Sequence, residues 1–185
     1  MIGDVSGKGM PAAMMVSLLV GTLRTLAHYT TMPGEILSSM NQRMLARSNG
    51  GFTTCLVVLV AENGTITAAN AGHIPPYLAG HEVPLESGLP LGLSENSTYP
   101  ESTFALDMGE QLTLVTDGVV EAKTKEGELF GFDRTSAVAC DPAAKIVRAA
   151  RDFGQEDDIT VVTLSRVASS APAVSGVTVL LPSST

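Results

Sequence analysis

The stretch FTTCLVVLVAENGTITAA at 52–69 decides how this chain folds. Residues 52–60 (FTTCLVVLV) read as a strand, Glu62-Asn63-Gly64 as a hairpin turn, and residues 65–69 as the returning strand. Working backwards, the period becomes helical. Pro11 suits a first helical turn, and Met14, Met15, Leu18, Leu19, Leu23 and Leu26 follow at helical spacing. A second helix starts at Pro33, with Glu35 in its first turn and Ile36, Met40 and Met44 on one face. Ser48-Asn49-Gly50-Gly51 ends it. The methionines read as core filler.

Working forwards, short extended pieces fall at 77–79 and 102–106. QLTLVT at 111–116 is a strongly apolar strand that delivers Asp117 at its end. Asp141 and Pro142 open a helix, with the aspartate as cap, that runs to Gly154; ITVVTL at 159–164 is the last clear strand. From Val167 the composition turns Ser/Ala/Pro-rich, which reads as a tail over 167–185 in which VTVLL could add an edge strand. The expectation is one α+β layered domain over 1–166 with largely antiparallel sheets.

Composition narrows the function. A net charge of −8 argues against nucleic acid and against an anionic membrane surface, since either partner calls for a basic face. A phosphorylated substrate would need positive charge from bound metal. The two cysteines, Cys55 and Cys140, are too few for a disulfide framework. No apolar run reaches the ~20 residues of a membrane span. Residues 11–23 mimic a short signal peptide, but Asp4 is acidic and the apolar pattern continues past Arg24 as a helix. The reading is a soluble, cytoplasmic-type domain.

The chemistry sits in three aspartate sites: GDVSGKG at 3–9, TDG at 116–118 and EDDIT at 156–160. Carboxylates at strand ends, flanked by glycine or threonine, suit a hard divalent cation. Each has a plainer reading. Asp4 could cap a glycine-rich turn, and Asp117 could cap a short helix. Asp157 and Asp158 precede a strand, so capping explains them poorly, and adjacent carboxylates repel unless a cation or donor offsets them. The first segment is no phosphate-cradling P-loop, because Lys8 is followed by Gly9. If folding gathers the three sites, two Mg²⁺ or Mn²⁺ ions could drive phosphoester hydrolysis without a protein nucleophile. Of three histidines, His28 lies at a helix end and His81 beside Glu82 in a loop. His73 reads as a structural histidine in a tight Gly/Pro corner, with a catalytic acid or substrate contact as the alternative.

At these residues the chain resembles the PPM superfamily of metal-dependent protein Ser/Thr phosphatases (type 2C), in its bacterial SpoIIE/RsbU-like branch. The resemblance rests on GDVSGKGMPAAM at 3–14, FTTCLVVLV at 52–60, AANAGHIPPYL at 68–78 and GLPLGL at 88–93. It continues through LVTDGVVEA at 114–122, FGFDR at 130–134 and DDITVVTL at 157–164. It implies a four-layer α-β-β-α sandwich of largely antiparallel sheets and a two-metal Mn²⁺/Mg²⁺ site. By the same resemblance Asp4 bridges the metals, the Val5 carbonyl is a ligand, and Asp117 and Asp157 complete one shell. Asp158 falls where relatives vary and ranks below Asp157. The implied substrates are small phosphorylated anti-sigma-factor antagonists of the STAS type. An upstream sensory or receiver domain is implied too, acting through the helices at 11–28 and 33–47.

Members of that family also carry an earlier strand-borne Gly-Gly-Asp motif, and none precedes Asp4 here. The expectation is an N-terminally truncated domain lacking its first strands and one metal ligand, poorly soluble or weakly active as given. A non-catalytic partner-binding module is the alternative function, and a phosphoesterase acting on small molecules ranks third.

Overall fold

In the computed structural model, which describes residues 1–46 and 51–168, the hairpin forms around its glycine. Gly64 sits at φ 87°, a conformation costly for a residue with a Cβ, and Asn63 Oδ1 accepts the Thr65 N–H at 2.9 Å. Along the chain the elements run β1 (Ile2–Val5), α1 (Met10–Leu26), α2 (Pro33–Leu45), β2 (Thr53–Val60) and β3 (Thr65–Ala71). Three two-residue strands follow: β4 (Tyr77–Leu78), β5 (His81–Glu82) and β6 (Ser87–Gly88). The remainder is β7 (Glu101–Ala105), β8 (Gln111–Val115), α3 (Asp117–Val120), α4 (Gly131–Val138), α5 (Ala143–Gly154) and β9 (Val161–Ser165). These form two compact units, Met1–His73 with Leu85–Ala105, and Ile74–Pro84 with the described residues from Leu106 onward.

The first unit is a five-stranded sheet in the order β1-β2-β3-β6, with β7 also paired to β3. All pairings are antiparallel except the short β3–β6 contact. Cys55, Leu56 and Val57 are buried in succession, so β2 is covered on both faces. That is why its sequence is a continuous apolar run and not an alternation. α2 lies on β2 and β3, and α1 lies on α2. Leu37, Met40 and Met44 of α2 are fully buried and join Leu19, Leu23, Val57 and Ala69 in one core. Each such side chain contributes about 2 kcal/mol by leaving water.

The expected stripe on α1 is only partly buried. Leu19 and Leu23 are covered, whereas Met14 is 67% exposed and lines, with Met15, Leu18 and Phe52, a groove of about 350 Å³. The apolar residues of α1 wrap more of its circumference than α2 can cover.

One buried polar side chain fastens the GLPLGL loop to α2. Asn41 donates from Nδ2 to the Ser94 carbonyl at 2.8 Å and accepts the Gly92 N–H at Oδ1 at 2.8 Å. Beside it, Leu91 exchanges both backbone hydrogen bonds with Thr53, at 3.0 and 2.8 Å. Asn41→Ala strands two half-buried partners and is expected to cost about 2 kcal/mol. Urea unfolding checks this; an unchanged midpoint would mean the Leu91 pairing alone holds the loop.

The second unit is a four-stranded antiparallel sheet in the order β5-β4-β8-β9. Its core unites Tyr77, Val115, Val119, Phe130, Ile146 and Ala150. Phe130 meets Phe153 edge-to-face with ring centroids 5.4 Å apart, and the Arg134 guanidinium lies 4.9 Å over the Phe153 ring. The local pattern did not announce α4, because its end is held from a distant strand. Gln111 Nε2 and Thr113 Oγ1 donate to the Ala139 carbonyl at 3.0 and 2.7 Å, satisfying the helix terminus.

Asp141 is not the expected cap. Pro142 stands at the N-cap with an extended ψ of 144° and no side-chain cap bond, so the helix starts one residue later than the cap reading requires. Asp141 Oδ1 instead accepts from Lys145 Nζ at 2.9 Å. The Ser48-Asn49-Gly50 breaker and residues 169–185, VTVLL included, lie outside the described residues. Among the described residues no helix is long and apolar enough to cross a membrane.

Candidate metal centre

Two of the three aspartate segments meet inside the second unit, at the end of β8. The Thr116 N–H donates to the Thr160 carbonyl at 3.0 Å, and the Thr160 N–H donates to Thr116 Oγ1 at 2.9 Å. Thr116 Oγ1 in turn donates to the Asp158 carbonyl at 3.3 Å. Gly118 permits the approach: a Cβ there would lie 2.3 Å from the Asp158 carbonyl oxygen, well inside contact.

A second clamp closes the other end. The Lys123 N–H donates to the Gly154 carbonyl at 2.7 Å, and Lys123 Nζ pairs with Glu156 at 2.6 Å. The hydrogen bond and charge of Glu156 hold the Lys123 ammonium pKa above its ordinary value. Residues 154–160 are thus laid along the 116–123 segment.

Asp117 is the first residue of α3, with Thr116 at the N-cap, and the helix has no side-chain cap bond. The helix-cap reading of Asp117 therefore fails, and its half-buried carboxylate is not spent on the helix. Asp157 is exposed, and its Oδ1 accepts the Asp158 N–H at 2.8 Å. Asp158 joins the clamp through its backbone carbonyl, the group bonded by Thr116.

Asp4 belongs to the first unit, on β1, directly across from Thr54 of β2. Gly3 lets the strands close, since a Cβ would stand 2.6 Å from the Thr54 carbonyl oxygen. Beyond Val5 the chain turns sharply through Gly7 and Gly9 at φ 97° and 75° into α1. Ser6 anchors that turn, donating its N–H to the Phe52 carbonyl at 2.9 Å and accepting the Phe52 N–H at Oγ at 2.8 Å.

His73 is buried and built into the corner. Its N–H donates to Asn70 Oδ1, and its carbonyl accepts from Asn70 Nδ2, both at 2.8 Å. Its Nδ1 lies 2.9 Å from Thr54 Oγ1, one residue across from Asp4. The structural role read from the Gly/Pro setting is supported by these bonds. Burial pushes the Cys55 thiol up to about 12, so it is no nucleophile at neutral pH. His81 is exposed and lies in β5, not in the expected loop.

The donor chemistry fits a hard divalent cation: aspartate carboxylates and a backbone carbonyl, with no thiolate among them. Among the described residues, however, no group of three His, Cys, Asp or Glu side chains could hold an ion. What the second unit presents is a pair of clamped acidic segments. Sequence reasoning overlooked Thr116, Lys123 and Glu156 as the parts that clamp them. A threonine beside a strand-end aspartate was the available signal.

A family model described as stage II sporulation protein E (SpoIIE) matches residues 1–167. The chain belongs to the SpoIIE family. Phosphoserine phosphatase RsbU of Bacillus subtilis (strain 168) is 28% identical to this SpoIIE-family chain, across 89% of it and 54% of RsbU. The RsbU and RsbW domains of a Mycobacterium tuberculosis protein match with a TM-score of 0.75 and 25% identity, covering 92% of this chain and 52% of that one. The catalytic domain of the serine threonine protein phosphatase PstP, solved with 2 manganese ions, gives a TM-score of 0.67 at 15% identity, covering 90% and 86%. The fold is that of the PPM phosphatases. The SpoIIE-family chain spans about half the length of RsbU.

Proposed function

We propose that the chain hydrolyses phosphoserine or phosphothreonine on a signalling protein in the presence of Mn²⁺ or Mg²⁺. The observation that carries this reading is the clamping of the Asp117 and Asp157 segments by Thr116 and Gly118, in a chain of the SpoIIE family. Divalent cations at such a site supply Lewis-acid activation of water and neutralise phosphoryl charge. Asp117 and Asp157 would hold a cation with their carboxylates in the second unit; Asp4 and the Val5 carbonyl, on β1 of the first unit, are proposed donors of the same hard kind. Asp158 supports the Asp117 segment through its backbone carbonyl, and His73, hydrogen-bonded at Nδ1 to Thr54 opposite Asp4, is a secondary candidate. The substrate is a small phosphorylated anti-sigma-factor antagonist of the STAS type, and the setting is cytoplasmic. A regulatory sensory or receiver domain acts on α1 and α2. The similarity to a phosphoserine phosphatase supports the reaction class.

A second reading, a partner-binding module without catalysis, is favoured by the lack of a three-residue metal group among the described residues. Phosphate release from a phosphoserine protein separates the two. Release that requires Mn²⁺ or Mg²⁺ and stops with a chelator is expected. No release at saturating Mn²⁺, with Mn²⁺ binding also absent by calorimetry, would overturn the enzyme reading.

A further inference from the structure

We infer that Thr116 is a positioning residue for the cation site, setting the Asp157 segment against Asp117 through its side-chain hydroxyl. The inference rests on the metal-dependent reading above. Thr116 is 4% exposed, and its Oγ1 serves two bonds at once. It accepts the Thr160 N–H at 2.9 Å and donates to the Asp158 carbonyl at 3.3 Å. One hydroxyl therefore grips the chain on both sides of Ile159, directly beside the acidic pair. The residue that follows Thr116 is Asp117, so the hydroxyl and the carboxylate share one stretch of backbone. Gly118 completes the joint, its missing Cβ leaving room for the same Asp158 carbonyl. A methyl in place of the hydroxyl keeps the shape, loses both bonds and leaves the Thr160 N–H and the Asp158 carbonyl without this partner. The backbone that carries Asp157 then loses its side-chain tie to the segment that carries Asp117, and groups that orient metal ligands govern affinity strongly.

The test is calorimetric Mn²⁺ titration of the full 185-residue chain as parent, Thr116→Val and Thr116→Ser. Thr116→Val is expected to bind Mn²⁺ about tenfold more weakly, or worse. Thr116→Ser keeps the hydroxyl and is expected to bind close to the parent, a rescue that a requirement for threonine shape alone would not produce. Metal-free thermal unfolding of the three proteins separates loss of affinity from loss of fold. Equal Mn²⁺ affinity in the parent and Thr116→Val overturns the positioning role and leaves the metal reading standing. A parent that binds no Mn²⁺ overturns both. Should Thr116→Val not fold, hydrogen exchange in the parent decides. The Thr160 amide is expected to slow when Mn²⁺ is added, and an unchanged rate overturns the inference.

Discussion

Asp117→Asn is expected to cut Mn²⁺-dependent phosphate release by about a thousandfold or more, a loss of about 4 kcal/mol in transition-state stabilisation. The substitution keeps the volume of the side chain and removes its negative charge, the property a hard cation requires. The fold has little stake in that charge. The α3 helix spans four residues and carries no side-chain cap bond, so Asp117 contributes to it through its position in the first turn alone. Losing an acidic group there costs about 0.5 kcal/mol. The signature is therefore a large fall in activity and in Mn²⁺ affinity with a nearly unchanged unfolding midpoint. An Asp117→Asn protein that hydrolyses a phosphoserine protein at the parent's rate would remove Asp117 from the metal site.

Gly118→Ala should do the opposite of what helix propensity predicts. Gly118 lies within α3 without positive φ, where alanine would ordinarily gain about 1 kcal/mol over glycine. Here the new Cβ would meet the Asp158 carbonyl oxygen at 2.3 Å and its carbon at 2.9 Å. Both atoms are backbone, held in turn by Thr116, so neither can rotate aside as a flexible side chain would. The collision wins, with an expected net loss of about 3 kcal/mol and weaker Mn²⁺ binding, because the acidic segments are forced apart. Gly21→Ala in the same denaturation series supplies the contrast. Gly21 lies in α1 with open space around its Cβ position, so alanine there should be neutral or stabilising. Equal midpoints for Gly118→Ala and the parent would mean that the segments separate without cost.

Much of the fold was legible because its causes are local. The run at 52–60 and its Asn-Gly turn made β2 and β3 readable, since strand period and positive-φ chemistry act over a few residues. Pro33, Ile36, Met40 and Met44 gave α2 its start and its buried face. The failures involve long-range partners. Asp141 carries a cap residue's chemistry, but Pro142 sets the chain extended and the carboxylate turns to Lys145. The end of α4 is satisfied by Gln111 and Thr113, which lie more than two dozen residues earlier. Met14 shares the helical period of Leu18 and Leu19, yet among the described residues it stays exposed.

The same division runs through the candidate site. That aspartates stand at strand ends beside glycine and threonine follows from residue order, as does the hard-cation character of the donors. Which carbonyl Thr116 grips across 42 positions depended on β8 and β9 pairing in one register. Local propensities carry no information about that register. The burial of β8 and the hydrogen bonds it shares with β9 select it, and it brings the Asp117 and Asp157 segments to one joint.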